Sequence, residues 1–478
     1  IFINLILHDP IQLFYERPKS CKVIKSLPKK NLILLGGDFI LIIASFYLSP
    51  VLRFGVCPDL AVFLEWTDLS AIFTYLLFFY IFDFYKIEER FSSAGYFFRF
   101  LLALIIADLF IASLFYVFNI RPYATVILLL NTILILTLCL GWRFLFYRWN
   151  RQYQRILRVL IIGAGWAGTD LHEMLKNRAD FYVVGFLDDD KEKWGRQIGT
   201  APIIGGTDRL DAMIKDRDVD IVVIAITHRM NADLHRRIVE AKVKGLSVYE
   251  MPTFCELVLW KIPVEHVSDL WFVYVPISGV RKTTYNQKAK LVIDILISLF
   301  LLTILSPLIL LTAAAIKVDS PGPVFYVQRR IGWRGQPFKL VKFRSMRVGL
   351  DNHREWAGQK NDPRITRVGK FLRVSRFDEI PQMWNVIRGE MSFIGPRALM
   401  EEEVREFEPR IPYFSLRHSI KPGITGWAQI NYPHGTTVED GLRKLEYDLY
   451  YLKNLSPLLD LAILVRTVRT VLFGRGAR

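Results

Sequence analysis

The chain has 478 residues, 52% of them hydrophobic, and this length and composition exclude a single-domain protein and an ordinary soluble enzyme, leaving a membrane protein with soluble parts. A formal net charge of +16 suits an anionic membrane surface, a phosphorylated substrate or nucleic acid. We expect no nucleic acid partner, because no nucleic-acid-binding signature and no basic run with interleaved aromatics lies away from the membrane-flanking segments.

Four apolar stretches of membrane-spanning length lie in the first third of the chain. They predict a cytoplasmic N-terminal segment over residues 1–30 and a four-helix transmembrane bundle over residues 31–145. Basic residues cluster before the first stretch, between the second and third, and after the fourth. By the positive-inside rule both ends of the bundle face the cytoplasm. The stretches are residues 31–48, 69–85, 100–120 and 123–142, and the last basic cluster is Arg143, Arg148, Arg151 and Arg155.

Two carboxylates, Asp38 and Asp108, fall inside these apolar stretches. A charged group at membrane depth is costly, so it marks either a proton or ion path or a polar contact between helices. The sequence leaves both interpretations open.

An apolar strand over residues 158–162 leads into Gly163, Gly165 and Gly168, a Gly-x-Gly-x-x-Gly motif at the start of a predicted helix. Asp188 ends the next strand, where an acid that binds a ribose hydroxyl is expected. Strands and helices alternate onward, which predicts a Rossmann-like domain of nucleotide-binding type over residues 152–275. No Tyr-x-x-x-Lys pair follows at useful spacing, so a redox role lacks its acid and base. An ordering or dimerising domain is the alternative.

A further apolar segment, predicted as a membrane helix over residues 288–317, is broken in the middle by Ser306 and Pro307. Basic residues flank both ends, and a crossing would place one of these clusters outside the cytoplasm. Proline removes an intrahelical hydrogen bond and permits a sharp bend. We therefore predict a re-entrant helix that enters and leaves on the cytoplasmic face, within a C-terminal α/β catalytic domain over residues 283–478 that also has interfacial helices. An ordinary fifth span is the alternative.

Asp378 and Glu379 are adjacent, and two ionised carboxylates at that distance need cations around them. Lys342 and Arg344 alternate on a predicted strand and so share one face. A helix predicted over residues 381–388 puts both carboxylates at its N-terminal end, where backbone N–H groups favour bound phosphate. The basic residues available to this site are Lys342, Arg344, Arg364, Arg373, Arg376 and Arg397.

This arrangement suits phosphate chemistry. A carboxylate can attack phosphorus to give an acyl phosphate, and a neighbouring carboxylate can hold Mg²⁺ beside the transferred group. We assign Asp378 as the nucleophile and Glu379 as the metal ligand. The alternative is an exposed helix start that merely favours negative charge.

The C-terminal part of the chain, from about residue 288, resembles the bacterial sugar transferase family. Within it, the four spans and the Rossmann-like domain resemble the large monotopic polyprenyl-phosphate hexose-1-phosphate (phosphoglycosyl) transferases of the exopolysaccharide-initiating type. The motifs that carry the resemblance are Leu305-Ser306-Pro307, Lys342-Phe343-Arg344-Ser345-Met346, Asn361-Asp362-Pro363-Arg364, Asp378-Glu379-Ile380-Pro381-Gln382, Gly395-Pro396-Arg397 and Lys421-Pro422-Gly423-Ile424-Thr425-Gly426-Trp427.

The resemblance implies a two-step transfer in which Asp378 attacks the β-phosphorus of a UDP-hexose and UMP leaves. A polyprenyl (undecaprenyl) phosphate then takes the hexose 1-phosphate, as the first membrane step of exopolysaccharide, capsule or O-antigen synthesis. It also implies Mg²⁺ on Glu379, a homodimer, and a bacterial inner membrane location with the catalytic domain on the cytoplasmic face. The predicted substrate-binding residues are Lys342, Arg344, Arg364, Arg373, Arg397 and Gln429.

The chain departs from the family pattern in two places. Ala398 stands where many members have proline, and Asn431-Tyr432-Pro433-His434 stands where many have Asn-Gly-Arg-Asn. The missing arginine leaves recognition of the sugar or the diphosphate partly unassigned. His434 and Arg443 are the candidates to replace it.

Two other functions fit parts of the chain. A nucleotide- or redox-sensing membrane regulator would use the Gly163–Gly168 loop as its working site, and the basic cluster around Asp378 argues against it. A nucleotide-sugar dehydratase would also join membrane helices to a Rossmann domain, and the missing Tyr-x-x-x-Lys pair argues against that.

Overall fold

The computed structural model describes residues 27–55, 66–82, 84–85, 94–117, 125–152, 156–178, 180–215, 219–226, 230–267, 277, 288–348, 363–433, 435 and 437–472. In this part of the chain the protein combines apolar helices with α/β structure. The described residues form two compact units. The first draws on residues 1–160, 172–222 and 232–248, and the second on residues 161–171, 223–231 and 249–478.

Four apolar helices begin the described chain. Three of them, α1, α3 and α4, are long and apolar enough to cross a membrane. The second, α2, has only 16 residues. It ends at Ile81, although the predicted apolar stretch continues to Tyr85. Three of the four predicted spans are therefore present as helices of spanning length among the described residues before residue 156, and the second is a shorter apolar helix. The helices are α1 Leu27–Phe54, α2 Trp66–Ile81, α3 Ala94–Val117 and α4 Thr125–Gln152.

Polar side chains join these helices to one another. Arg143, which the sequence places in the basic cluster after the fourth stretch, is buried and forms an ion pair with Asp38. Asp108 accepts hydrogen bonds from the Tyr75 hydroxyl at 2.5 Å and from the Thr132 hydroxyl at 2.7 Å. Pairing of this kind lowers the cost of a charge at membrane depth. Both carboxylates therefore lie in polar contacts between helices, one of the two predicted interpretations.

A six-stranded sheet follows, in the order β3-β4-β2-β1-β5-β6. Strand β4 runs parallel to β2, and the short β3 pairs antiparallel to β4 at the edge. The strand predicted over residues 158–162 and the next predicted strand, before Asp188, are present as β1 and β2. The elements are β1 Leu157–Ile162, α5 Trp166–Lys176, β2 Phe181–Leu187, β3 Gln197–Ile198, β4 Ala201–Gly205, α6 Leu210–Lys215, β5 Ile221–Ile224, α7 Ala232–Val243, β6 Ser247–Glu250 and α8 Met251–Leu259.

Gly163, in the glycine motif after β1, is at a position that requires glycine. Gly163 has φ +106°, and a Cβ there would lie 2.9 Å from the Ala225 carbonyl oxygen. Asp188, the predicted ribose-binding acid, lies 3.2 Å from the Lys193 ammonium and accepts the Asp190 N–H at 2.9 Å. Nucleotide binding at Gly163, Gly165, Gly168 and Asp188 stays a prediction.

The broken apolar segment forms two helices, α9 Lys290–Ile304 and α10 Ser306–Asp319, bent by 64°. Pro307 has no N–H to donate to the Thr303 carbonyl, and the Ser306 hydroxyl donates to that carbonyl instead, at 2.7 Å. The predicted bend is therefore present, and Ser306 supplies a hydrogen bond that Pro307 cannot make. The path of this segment through a membrane stays a prediction.

The rest of the second unit positions the carboxylate pair. Strands β7 and β8 form an antiparallel hairpin, and β9 pairs parallel with β10. One core cluster joins Ile316, Phe343, Leu372 and Ile380, and so ties the bent segment to the hairpin and to the carboxylate segment. The elements are β7 Phe325–Ile331, β8 Pro337–Phe343, α11 Arg367–Ser375, α12 Met383–Ile387, β9 Ser392–Ile394, α13 Glu401–Phe407, β10 Gly423–Thr425, α14 Trp427–Asn431, α15 Val438–Asn454 and α16 Pro457–Leu472.

Candidate active site

Asp378 and Glu379 lie in the first turn of a 3₁₀ helix, Phe377–Gln382, that continues into α12. The preceding Arg376 has left-handed backbone angles, φ 61° and ψ 14°, which end α11 and reverse the chain. The helix predicted over residues 381–388 therefore begins earlier, at Phe377, and its first part is a 3₁₀ helix instead of an α-helix. Pro381 explains the difference, because it cannot donate to a carbonyl four residues back.

Three cations surround the Glu379 carboxylate. The Oε1 atom lies 3.8 Å from the Lys342 ammonium and 3.5 Å from the guanidinium groups of both Arg376 and Arg397. Strand β8, the end of α11 and the loop after β9 each supply one of them. The carboxylate side chain is only 12% exposed, so these charges act with little screening by water.

Asp378 is poised for a change of charge near neutral pH. Burial raises the pKa of Asp378 to about 6, and the like charge of Glu379 adds to the rise. The positive charges of Lys342, Arg376 and Arg373 act in the opposite direction. At pH 7 the carboxylate is therefore mostly ionised, which a nucleophile requires.

Burial changes the pKa of Lys342 in the opposite direction to that of Asp378. Desolvation lowers the pKa of Lys342 to about 8, the Glu379 carboxylate opposes this fall, and the Arg397 charge reinforces it. The ammonium remains mostly charged at pH 7. Lys342 and Asp378 therefore titrate on either side of neutrality.

Two buried or half-buried arginines hold the loop that carries Arg397. The Arg417 guanidinium donates to the Arg397 carbonyl at 3.2 Å, and Arg330 donates to the Ala398 carbonyl at 3.3 Å. Arg330 also lines a small pocket together with Lys342 and Arg397. Sequence reasoning missed both supporting arginines. For Arg330, strand alternation was the one available signal, because it places Arg330 on the same face as Gln328. The Arg330 guanidinium donates to the Gln328 Oε1 atom at 2.7 Å.

Arg344 lies away from the carboxylates. Strand β8 ends at Phe343, and the buried Arg344 guanidinium donates to the carbonyls of Ser320 at 2.7 Å and Pro321 at 2.8 Å. It therefore binds the chain just after α10. The strand alternation that predicted a shared face with Lys342 does not extend past Phe343.

The other predicted substrate-binding residues lie in several places. Arg373 is close enough for its charge to affect Asp378. Arg364 is buried, and its carbonyl accepts the Arg347 N–H at 2.9 Å. The Gln429 amide nitrogen on α14 is buried and has no hydrogen-bond partner among the described residues.

Of the two candidates for the missing arginine, His434 lies outside the described residues. Arg443 is engaged elsewhere. Its guanidinium lies 2.8 Å from Glu439 and 3.2 Å from Glu446, on its own helix α15.

The side chains fit a magnesium ion only together with substrate oxygen atoms. No group of three His, Cys, Asp or Glu side chains that could hold a metal occurs among the described residues. One Glu379 oxygen already faces three cations. Magnesium commonly uses one or two carboxylates and completes its shell with phosphate oxygens and water, so Glu379 suits an ion that arrives with a diphosphate.

Two known protein families match parts of the chain. Residues 285–474 match the family described as bacterial sugar transferase, and residues 80–252 match one described as a CoA-binding domain. Over 274 residues the chain is 35% identical to a UDP-N-acetylgalactosamine-undecaprenyl-phosphate N-acetylgalactosaminephosphotransferase of Aeromonas hydrophila, covering 57% of this chain and 62% of that protein.

Two further relatives extend the comparison. The chain is 36% identical over 280 residues to a UDP-glucose:undecaprenyl-phosphate glucose-1-phosphate transferase of Xanthomonas campestris, covering 58% of each protein. It is 36% identical over 217 residues to the exopolysaccharide production protein ExoY of Sinorhizobium fredii, covering 42% of this chain and 90% of that one. The chain thus spans less than two thirds of the first two relatives and most of the third. It belongs to the bacterial sugar transferase family.

Proposed function

We propose that the protein transfers hexose 1-phosphate from a UDP-hexose to a polyprenyl phosphate and releases UMP, at the start of exopolysaccharide, capsule or O-antigen synthesis. The observation that carries this proposal is the Glu379 carboxylate, held by three cations beside the ionisable Asp378. The activities for which the Aeromonas and Xanthomonas relatives are named support the same class of reaction.

In the first step an Asp378 oxygen attacks the β-phosphorus. The bond from that phosphorus to the bridging oxygen breaks, and UMP leaves with the oxygen. In the second step an oxygen of the polyprenyl phosphate attacks the acyl phosphate, and Asp378 leaves as a carboxylate. Polyprenyl diphosphate hexose is the product, so atoms and charge balance without another reactant.

Cations make this attack feasible. A carboxylate and a diphosphate repel each other, and Lys342, Arg376 and Arg397 offset that repulsion in a site with little water. When substrate phosphates enter, they compete with Glu379 for these three groups. Magnesium held by Glu379 would supply further positive charge to the diphosphate.

The membrane arrangement is part of the proposal. Apolar helices α1 to α4 anchor the chain in the bacterial inner membrane with both ends of the bundle in the cytoplasm, and the α9–α10 pair enters and leaves on the cytoplasmic face. This keeps the catalytic residues on the side where nucleotide sugars occur. The homodimer implied by the family resemblance stays a prediction.

An exchange experiment tests the covalent step. Purified protein is incubated with UDP-hexose, labelled UMP and Mg²⁺ but no lipid, and label entering UDP-hexose is measured. Wild type and Glu402→Gln, which changes an exposed carboxylate, should exchange label, whereas Asp378→Asn should not. Exchange that requires polyprenyl phosphate would exclude the covalent intermediate. Absence of UMP release with all substrates present would exclude the function.

A further inference from the structure

Lys444 is a cation on α15 that the reaction described above does not use. Thr437 caps this helix through the Asp440 N–H, and Lys444 follows one turn later. Its ammonium donates to the Gly435 carbonyl at 2.5 Å, so it lies beside the chain segment that differs from the family pattern. The side chain is half-buried.

The same face of α15 is connected to the active site. Residues four apart on a helix lie on one face, which places Asp448 beside Lys444. The Asp448 carboxylate lies 2.8 Å from the Arg417 guanidinium, and both side chains are almost completely buried. Arg417 in turn donates to the Arg397 carbonyl at 3.2 Å. The helix face that carries Lys444 is thereby fixed relative to Arg397.

The charges around Lys444 are mixed. Among the described residues, no carboxylate oxygen lies within 4.0 Å of its ammonium. Its acidic neighbours are Asp440, Glu403 and Asp448. Asp440 accepts hydrogen bonds from Thr437 and Tyr432, and Asp448 pairs with Arg417.

Burial lowers the pKa of Lys444. The charges of Asp440 and Glu403 oppose this effect, while the charges of Arg397 and Arg417 add to it. A desolvated cation that also faces other cations is stabilised when an anion binds between them.

We propose that Lys444, together with Arg397, binds the diphosphate of the nucleotide sugar. This proposal rests on the proposed function, because it names a further substrate-binding residue of the same site. The diphosphate is favoured over the lipid phosphate because the Asp448–Arg417 pair on the same helix face holds the loop of Arg397, one of the three cations at Glu379.

A purely structural role makes a different prediction. If Lys444 only tethers the chain at Gly435, then Lys444→Gln keeps a donor for that carbonyl and should behave as wild type. If the charge binds a diphosphate, Lys444→Gln should fail and Lys444→Arg should retain most of the affinity. The two substitutions therefore separate charge from tethering.

The test measures equilibrium binding of UDP to purified protein and, separately, the KM for UDP-hexose and for polyprenyl phosphate. We expect Lys444→Gln to weaken UDP binding and raise the KM for UDP-hexose by about tenfold, with little change in kcat or in the KM for the lipid. Uridine, which has no phosphate, should inhibit the wild type and Lys444→Gln equally. Lys370→Gln removes an exposed lysine elsewhere and serves as the control.

Three results would overturn the proposal: unchanged UDP binding in Lys444→Gln, equal loss in the Gln and Arg variants, or a rise confined to the KM for the lipid. Because UDP binding is measured without turnover, the role of Lys444 is judged even if the wild type releases no UMP. Absence of UMP release by the wild type would count against the proposed reaction. Failure of the wild type to bind UDP would overturn both.

Discussion

Asn385 on α12 holds the backbone of β8 at Val341. Its Oδ1 accepts the Val341 N–H at 3.1 Å, and its Nδ2 donates to the Lys339 carbonyl at 2.7 Å. Lys342 is the next residue along the strand, and Glu379 lies in the 3₁₀ helix that runs into α12. The Asn385 side chain therefore fixes the distance between the Lys342 ammonium and the Glu379 carboxylate.

Removing that amide should reduce both stability and activity. Asn385→Ala removes the buried partner of the Val341 N–H and the Lys339 carbonyl, which form part-buried hydrogen bonds with it, and this costs about 1–3 kcal/mol of unfolding free energy. Thermal unfolding in detergent measures the loss, and kcat for UMP release should fall with it. Asn177→Ala, at an exposed position, is the control. An unfolding temperature unchanged by Asn385→Ala would contradict the role of this pair.

The pH dependence of kcat/KM should be bell-shaped. Asp378 attacks only when ionised, so activity falls as pH decreases through about 6. Lys342 neutralises phosphate only when charged, so activity falls as pH increases through about 8. Rates measured from pH 5 to 9 give both limbs. In Lys342→Arg the alkaline limb should vanish, because arginine stays charged over this range. If that limb were retained, Lys342 would not be its source.

Lys342 and Arg344 should differ in what their loss affects. Arg344→Ala leaves the carbonyls of Ser320 and Pro321 without their donor and should lower stability by about 2–4 kcal/mol. Lys342→Ala should lower kcat/KM by about a hundredfold or more with little change in unfolding temperature. Each variant is the control for the other. The assignment fails if Arg344→Ala is as stable as wild type and only its activity is reduced.

The bend between α9 and α10 should depend on the Ser306 hydroxyl. Ser306→Ala removes the hydrogen bond to the Thr303 carbonyl and should cost about 1 kcal/mol, whereas Ser306→Thr keeps a donor and should cost less. Unfolding temperatures in one detergent compare the two.

Topology has a separate measurement. Labelling of a C-terminal tag from outside intact cells would exclude a re-entrant path of the α9–α10 pair.

Strands β9 and β10 depend on the absence of one side chain. A Cβ at Gly423 would lie 2.0 Å from the Gly395 nitrogen, and two backbone segments cannot separate without breaking the strand pair. Gly423→Ala should therefore give little folded protein, as judged by yield and limited proteolysis. Gly95→Ala, where no atom lies within 4 Å of the added carbon, should fold normally. Normal yield from Gly423→Ala would contradict this packing.

The carboxylates and their nearest cations were predictable because their chemistry demands those residue types. Asp378 and Glu379 repel each other, and basic residues in neighbouring motifs were the available counter-charges, as Lys342, Arg376 and Arg397 show. The bend at Ser306 was predictable for a similar reason, since Pro307 cannot continue the hydrogen bonding of an apolar helix.

The supporting residues were not predictable, because their partners are distant in the chain. Arg417 and Asp448 meet only after α15 has packed, and Asn385 finds its strand 44 residues away. Arg344 was placed beside the carboxylates because strand alternation was extended one residue past the end of β8. The partner of Arg143, Asp38, lies 105 residues earlier.

The three cations at Glu379 have a consequence for turnover. In the reaction proposed above, an incoming phosphate competes with this carboxylate for the three cations. Binding then exchanges one set of ion pairs for another, which limits affinity, and the same carboxylate can return as UMP departs. Such a site favours rapid release over tight retention, which suits a reaction in which the nucleotide leaves before the lipid reacts.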